Sequence, residues 1–179
     1  METDLQLLHR YVASRDADAF AGVVRRHSGM VYGTCLRVTG NAHSAEDAAQ
    51  ECFLQLARHA GIVRDSVAGW LHRKAVSRAM MTLRSEARRK RREEGAARMN
   101  GAAKSHVEPA WSEIAPHVDE ALANLSSDLR EPLIRHFLEN KTQTEIAQEL
   151  HVDQSTISRR LDRGIDLPVS YTHLRAHET

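Results

Sequence analysis

Apolar residues recur at intervals of three and four along most of this chain, and no long alternating stretch interrupts them. Phe20, Val23, Val24, Val31, Cys35 and Val38 make one such stripe. Ala45, Ala48, Ala49, Cys52 and Leu56 make a second, and Ala75, Val76, Ala79, Met80, Leu83 and Ala87 a third. That period places one apolar face on each of several helices. Aromatics are only 4% of residues, which argues further against a β-sandwich or barrel. The fold class is therefore all-α. No apolar run approaches the length of a membrane span, so no membrane insertion is expected. A chain of 179 residues holds one ordinary domain or two small ones.

The stops and starts divide the stripes. Residues 2–14 read as a short helix. A second runs from Asp16 or Asp18 to Val38 and ends at Gly40-Asn41. Ser44 and Asp47 have capping-box spacing, so a third helix is expected to begin at Ser44. Residues 59–69 read as a loop, with Asp65 or Ser66 capping a long helix from Val67 to Arg92. The small, polar, aperiodic stretch 94–110 reads as a flexible linker. Helices follow at about 112–123, 127–139, 142–150 and 154–166, with Pro132 expected to strain or shorten the first turns of the second of these. The expected organisation is two small helical domains, 5–93 and 111–167, and a tail, 168–179.

Charge is distributed unevenly. Residues 71–98 hold ten Lys/Arg against three Glu, whereas residues 107–153 hold ten acids against three bases. The basic block asks for an anionic partner, with nucleic acid first and acidic lipid second. Its exposed arc would carry Trp70, Arg73, Lys74, Ser77, Arg78, Met81, Arg84, Ser85, Arg88 and Arg89. An aromatic inside a basic stripe suits single-stranded nucleic acid, because bases stack on rings while phosphates meet Arg. On the preceding helix, Asp47, Gln50, Glu51, Leu54 and Arg58 share the face opposite the apolar stripe.

The pair at 142–166 has the layout of a helix-turn-helix. Ile146, Ala147, Leu150, Val152, Ile157 and Leu161 are its packing positions, and His151 stands where Gly is usual. Gln154, Ser155, Thr156, Ser158, Arg159, Arg160 and Arg163 lie on or near the recognition helix. Gln suits adenine, Arg suits guanine, and Ser or Thr suits phosphates or either base. Cys35 and Cys52 form no CxxC pair, and the eleven His have no ligand spacing. No nucleotide loop, nucleophile elbow or metal motif occurs, so no enzyme, catalytic residue, metal or cofactor is expected. The N-terminus lacks the basic and apolar regions of a signal peptide, which gives a cytoplasmic expectation.

The blocks NAHSAEDAAQECFLQLARH, SVAGWLHRKAVSRAMMTLRSEARRKRRE and LSSDLREPLIRHFLENKTQTEIAQELHVDQSTISRRLDRG, in that order, resemble a bacterial sigma-70 family factor. The likeness is to the small group-four, extracytoplasmic-function class, which keeps only regions two and four, and covers about residues 5–167. It implies an RNA polymerase sigma factor for promoter recognition, minus-ten melting and transcription initiation. Glu46, Asp47, Gln50, Glu51, Phe53 and Leu54 would form or support the surface that docks on the clamp-helix coiled coil of core RNA polymerase. Trp70, Arg73, Lys74, Ser77, Arg78, Arg84 and Arg88, with the 59–69 loop, would read and melt the minus-ten element of promoter DNA, flipping a non-template base. The helix-turn-helix residues would read the minus-thirty-five element. The resemblance also implies an anti-sigma factor as a partner.

The family often has Asn and Asp where this chain has Ser77 and Met81, which bears on minus-ten specificity. After LDRGIDL the final PVSYTHLRAHET resembles one reading frame of a sequencing-library adapter, so residues 168–179 read as a non-native tail. Two rival readings remain at this level. One is a stand-alone, dimeric helix-turn-helix regulator that binds duplex DNA without polymerase. The other is an adaptor between a protein and anionic lipid or RNA.

Overall fold

The computed structural model describes residues 2–96 and 111–176. Among them are eight α-helices and no strand: α1 (Asp4–Ser14), α2 (Ala17–Thr39), α3 (Ala42–His59), α4 (Val67–Ala96), α5 (Trp111–Asn124), α6 (Ser127–Leu133), α7 (Gln143–Leu150) and α8 (Gln154–Ala176). The two-domain helical expectation holds. The expected linker falls mainly on 97–110, outside the described residues, and its first residues continue α4 to Ala96.

Local chemistry sets the ends. Thr3 and Gln6 form a capping box at α1. Asp16 caps α2 by accepting from the Ala19 amide, and Gly40, at φ 65°, closes it. The expected start of α3 at Ser44 needs correction. The cap is Asn41, whose side chain accepts from the Ser44 amide at 3.0 Å. Ser44 lies inside the first turn, and its hydroxyl is used across the domain, donating to Glu86 of α4 at 2.6 Å. Asn41→Ala should therefore cost about 1 kcal/mol of stability. Chemical denaturation should read it as a lower midpoint with an unchanged slope.

Ser66 caps α4, its hydroxyl accepting from the Gly69 amide at 2.9 Å. Pro132 perturbs its helix downstream rather than in the first turns. α6 remains α-helical through it, and a π-helical turn, Ile134–Leu138, follows. Thr142 and Glu145 form a capping box at α7, and His151 takes the left-handed turn conformation at φ 53°. α8 continues to Ala176 rather than ending at Asp166, since one internal proline removes a single helical hydrogen bond without obliging the helix to end. Gly164 lets α8 approach α6 closely: a Cβ there would stand 2.6 Å from Leu133 Cδ1.

Two apolar clusters result. The first is built on α1–α4 from residues that include Leu8, Val23, Val31, Cys35, Cys52, Leu56 and Leu71. The second contains Leu122, Leu133, Ile146, Ala147, Ile157 and Leu161, with Leu150 and Val152 half-buried against it. All six residues read as helix-turn-helix packing positions are thus in or against it. The α4 stripe is buried only over its first turns. Ala75, Val76 and Ala79 are inside, Met80 and Leu83 are half-buried, and Ala87 is exposed, contrary to expectation. Here α4 outruns the body it packs on. Ile134, from the second half of the chain, is fully buried in the first cluster, so the two domains are in contact.

Candidate polymerase and nucleic-acid interfaces

Three surfaces and one buried junction emerge. On α3, the core-facing stripe fixes what points outward. Glu46, Asp47 and Gln50 are exposed, and Leu54 stands among them at 46% exposure. Glu51 is half-buried, accepts from Gln55 at 2.9 Å and lies 3.6 Å from Arg78 of α4. Phe53 is half-buried against the first core and supports the helix from beneath. The face is acidic with one apolar anchor, which suits a protein partner better than a nucleic acid.

α4 carries the basic face. Arg73, Ser77, Arg84 and Arg88 are exposed and fall within about 60° of arc at helical spacing. Trp70 is half-buried against the core, and Lys74 Nζ lies 5.3 Å from its ring centroid. The ring is therefore seated on the core with a cation over it, at the start of the basic arc. Arg78 is half-buried and turned towards Glu51, so it bridges α3 and α4. Met81 is 54% exposed in the middle of this face.

On α8, Gln154, Ser155, Arg159 and Arg163 are exposed, while Thr156, Ser158 and Arg160 are half-buried. Gln154 donates to Gln143 of α7 at 2.6 Å, which ties the two helices at the turn. Arg159 donates to the Ser155 carbonyl and the Thr156 hydroxyl, both at 3.3 Å. Its guanidinium therefore lies along the first turns of α8. A helix presenting Gln, Ser and Arg at its start matches a major-groove reader.

The sequence pattern missed the junction. Asp119 of α5 is 2% exposed and accepts from Arg37 of α2 at 2.8 and 2.9 Å. It also accepts from His72 Nε2 of α4 at 3.0 Å. His72 thus holds its proton on Nε2 towards the carboxylate, while its buried Nδ1 has no hydrogen-bond partner. Burial alone would push the Asp119 carboxyl up, but hydrogen bonds from His72 and Arg37 hold it below its ordinary value. His27 of α2, also 2% exposed, bridges Asp4 of α1 at 3.0 Å and Glu139 at 2.7 Å. Arg130 of α6 donates to the Ala123 and Leu125 carbonyls, and its Nε has no hydrogen-bond partner. A Cβ built at Gly69, in the first turn of α4, would lie 3.4 Å from that Nε. Arg130 and Arg73 share a cleft of about 170 Å³ with Asp65, Ser66, Leu125, Ser126 and Ser127. Burial and the Arg73 charge both hold the Arg130 guanidinium below its ordinary pKa.

Cys35 and Cys52 are free thiols in the first core. Among the described residues, no cluster of His, Cys, Asp and Glu could hold a metal ion. No described helix is long and apolar enough to cross a membrane.

Residues 23–89 match the family model for sigma-70 region 2, and residues 117–166 match the model for sigma-70 region 4. The ECF RNA polymerase sigma factor SigK of Mycobacterium sp. (strain KMS) is 34% identical, over 91% of this chain and 88% of that protein. Its counterpart in Mycolicibacterium vanbaalenii is 30% identical, over 90% of this chain and 86% of that protein. Among solved structures, CnrH in complex with the cytosolic domain of CnrY matches 97% of this chain and 99% of that one. The identity there is 17% and the TM-score 0.46. The sigma factor RpoE of Bartonella quintana, in complex with the anti-sigma factor NepR, matches at 17% identity with a TM-score of 0.37. The chain belongs to the sigma-70 family and is an RNA polymerase sigma factor of the extracytoplasmic-function class.

Proposed function

We propose that three surfaces of this sigma factor divide the work of initiation. The outer face of α3 docks on core RNA polymerase through Glu46, Asp47, Gln50 and Leu54, with Glu51 and Phe53 holding it in place. The start and basic arc of α4 bind the minus-ten strand. Trp70 offers a stacking edge, and Arg73, Lys74, Ser77, Arg78, Arg84 and Arg88 offer phosphate contacts. The start of α8 reads the minus-thirty-five element through Gln154, Ser155, Thr156, Ser158, Arg159, Arg160 and Arg163. Residues 5–93 and 111–167 are the working domains, and the tail 168–179 takes no part. The protein acts in the cytoplasm, performs no catalysis of its own and needs no cofactor. An anti-sigma factor is its expected antagonist.

One observation carries this reading. An acidic face with an apolar anchor and a basic face with an aromatic stand on adjacent helices of one core. A protein and an anionic strand can therefore be held side by side.

The test is run-off transcription with bacterial core polymerase and a library of promoter sequences. Wild type should direct initiation from a defined subset of templates. Arg159→Ala with Arg163→Ala should lower that signal by at least about tenfold, since a good base contact is worth roughly 1–3 kcal/mol. Duplex binding without any core-dependent transcript would support the stand-alone regulator instead.

A further inference from the structure

Two guanidiniums from opposite halves of the chain meet without a counter-charge. Arg73 of α4 and Arg130 of α6 line one cleft of about 170 Å³. Among the described residues neither forms an ion pair, and Glu131, next to Arg130 in sequence, is engaged by Arg135 instead. Arg130 is 3% exposed. One of its terminal nitrogens is spent on the end of α5, at the Ala123 and Leu125 carbonyls, and its Nε–H is left without an acceptor. A buried cation is stabilised only when it is paired and hydrogen-bonded, and a second cation beside it increases that demand. The Arg73 charge is felt there, because it helps to hold the Arg130 guanidinium below its ordinary pKa.

The rest of the cleft adds donors. Arg130 Nε and Ser66 Oγ converge on the space that Gly69 leaves open, since a Cβ there would lie 3.4 Å from the first and 3.2 Å from the second. Ser66 Oγ accepts from the Gly69 amide, which leaves its own hydrogen to donate. Ser127 brings a second hydroxyl at the exposed rim, whereas the Ser126 hydroxyl is already given to Asp128. Asp65 is the one acid on the lining, and it is exposed. A larger hollow between α1 and α2, about 430 Å³, is neutralised differently: Arg10 pairs with Glu2 and Asp16, and Arg26 with Asp4.

We infer that the Arg73–Arg130 cleft is a binding site for one phosphoryl group, borne by free inorganic phosphate or by the terminal phosphate of a small metabolite, with Ser66 and Ser127 donating beside the two guanidiniums. The cleft is distinct from the three surfaces: Arg130 belongs to none of them, and only Arg73 is shared. Guanidinium forks match phosphate oxygens in geometry and charge. Two of them favour a terminal phosphate, with a charge of about −1.5 to −2 near neutral pH, over a singly charged backbone diester. The cleft is smaller than the roughly 300–1,000 Å³ of sites that enclose a whole ligand, so it takes the phosphoryl group and leaves the remainder outside. Bound there, the anion ties α4 to α6 and stabilises the folded chain according to its occupancy.

The experiment titrates the full chain with sodium phosphate at constant ionic strength, by calorimetry, and follows the thermal midpoint alongside. Adenosine monophosphate and dimethyl phosphate are the comparison probes. Wild type should bind phosphate saturably at one site, with the midpoint rising as the site fills. Arg73→Gln and Ser127→Asp, both at exposed positions, should each weaken binding by about tenfold or more. The first removes a charge-assisted hydrogen bond, and the second puts a carboxylate into the cleft. Arg25→Gln, in the hollow between α1 and α2, should bind as wild type does. Circular dichroism reports helix content in every variant. Adenosine monophosphate binding at least as tightly as phosphate assigns the group to a metabolite, and weaker binding assigns it to free phosphate; both support the site. Absence of saturable binding overturns it. So does equal binding of dimethyl phosphate, which makes the cleft a contact for the strand backbone. Weakening by Arg25→Gln with none by Arg73→Gln moves the anion to the other hollow and overturns it as well. These measurements need neither polymerase nor promoter, so a negative result leaves the assignment of the three surfaces standing.

Discussion

Asp47→Arg combined with Leu54→Asp is expected to abolish co-purification with core RNA polymerase while leaving the fold intact. Both residues are exposed on α3, Leu54 at 46%, and neither belongs to the first core. Exposed substitutions away from special features usually change stability by no more than about 0.5 kcal/mol. The interface should respond far more strongly. A central apolar anchor is worth about 2 kcal/mol or more when truncated, and an acid in its place adds an unpaired charge. Reversing Asp47 puts a cation where the surface otherwise offers carboxylates, which costs encounter rate and complementarity. Together these amount to about 4 kcal/mol, or roughly a thousandfold in affinity. Leu56→Ala, on the buried side of the same helix, is the opposite control. It should lose about 2–5 kcal/mol of stability and affect core binding only through unfolding. If the double variant still co-purifies with core at wild-type levels, α3 is not the docking element.

The contrast between Leu54 and Leu56 also marks what the sequence makes legible. Local period separates an outward residue from an inward one two positions later, because helical geometry fixes the angle between them. The same reasoning places Ile146, Ala147, Ile157 and Leu161 together, since the short turn at His151 leaves them one way to pack. It is weaker at ends. Asn41 and Ser44 are both good caps, and only the backbone decides that Asn41 holds the position. Period also cannot say how far a packed body extends, which is why Ala87 reads as core yet lies exposed on α4.

It fails altogether at the junction. His72 meets Asp119 across 47 residues of sequence, and His27 meets Glu139 across 112. No spacing rule links such pairs, and on their own helices the two histidines look like polar interruptions of apolar stripes. The acidic excess of residues 107–153 was visible from the start. Its use was not, because charge composition does not reveal which acids are buried.

The His27 bridge gives a pH dependence whose sign follows from its surroundings. Burial by itself would lower the imidazole pKa, but hydrogen bonds to Asp4 and Glu139, with their charges, raise it from 6.5 to about 9. The groups around it are Asp4 from α1, Glu139 after the π-turn, Arg26 beside Asp4 at 2.7 Å and Lys141 at 3.9 Å from Glu139. Burial likewise raises the Asp4 carboxyl, and His27 and Arg26 more than reverse it, so Asp4 is held well below its ordinary value. A histidine whose folded pKa is raised stabilises the fold fully below its unfolded pKa. It loses that contribution as pH rises through the folded value. The window for loss therefore runs from about 6.5 to about 9, and the amount is about 3 kcal/mol at 1.36 kcal/mol per unit. The Asp4 contribution has the opposite sense, present above the ordinary carboxylate pKa and lost in acid, so it leaves the alkaline limb to His27. Denaturation at pH 6.5 and pH 9.5 should show wild type losing stability across this interval. His27→Gln should keep the size of the side chain, lie below wild type at pH 6.5 and change little between the two. Parallel curves for the two proteins would mean that His27 is not protonated in the folded chain. Because Glu139 belongs to the second domain, the same alkaline shift should also enlarge the molecule in solution. That would link the charge state of a single buried imidazole to the distance between the two domains.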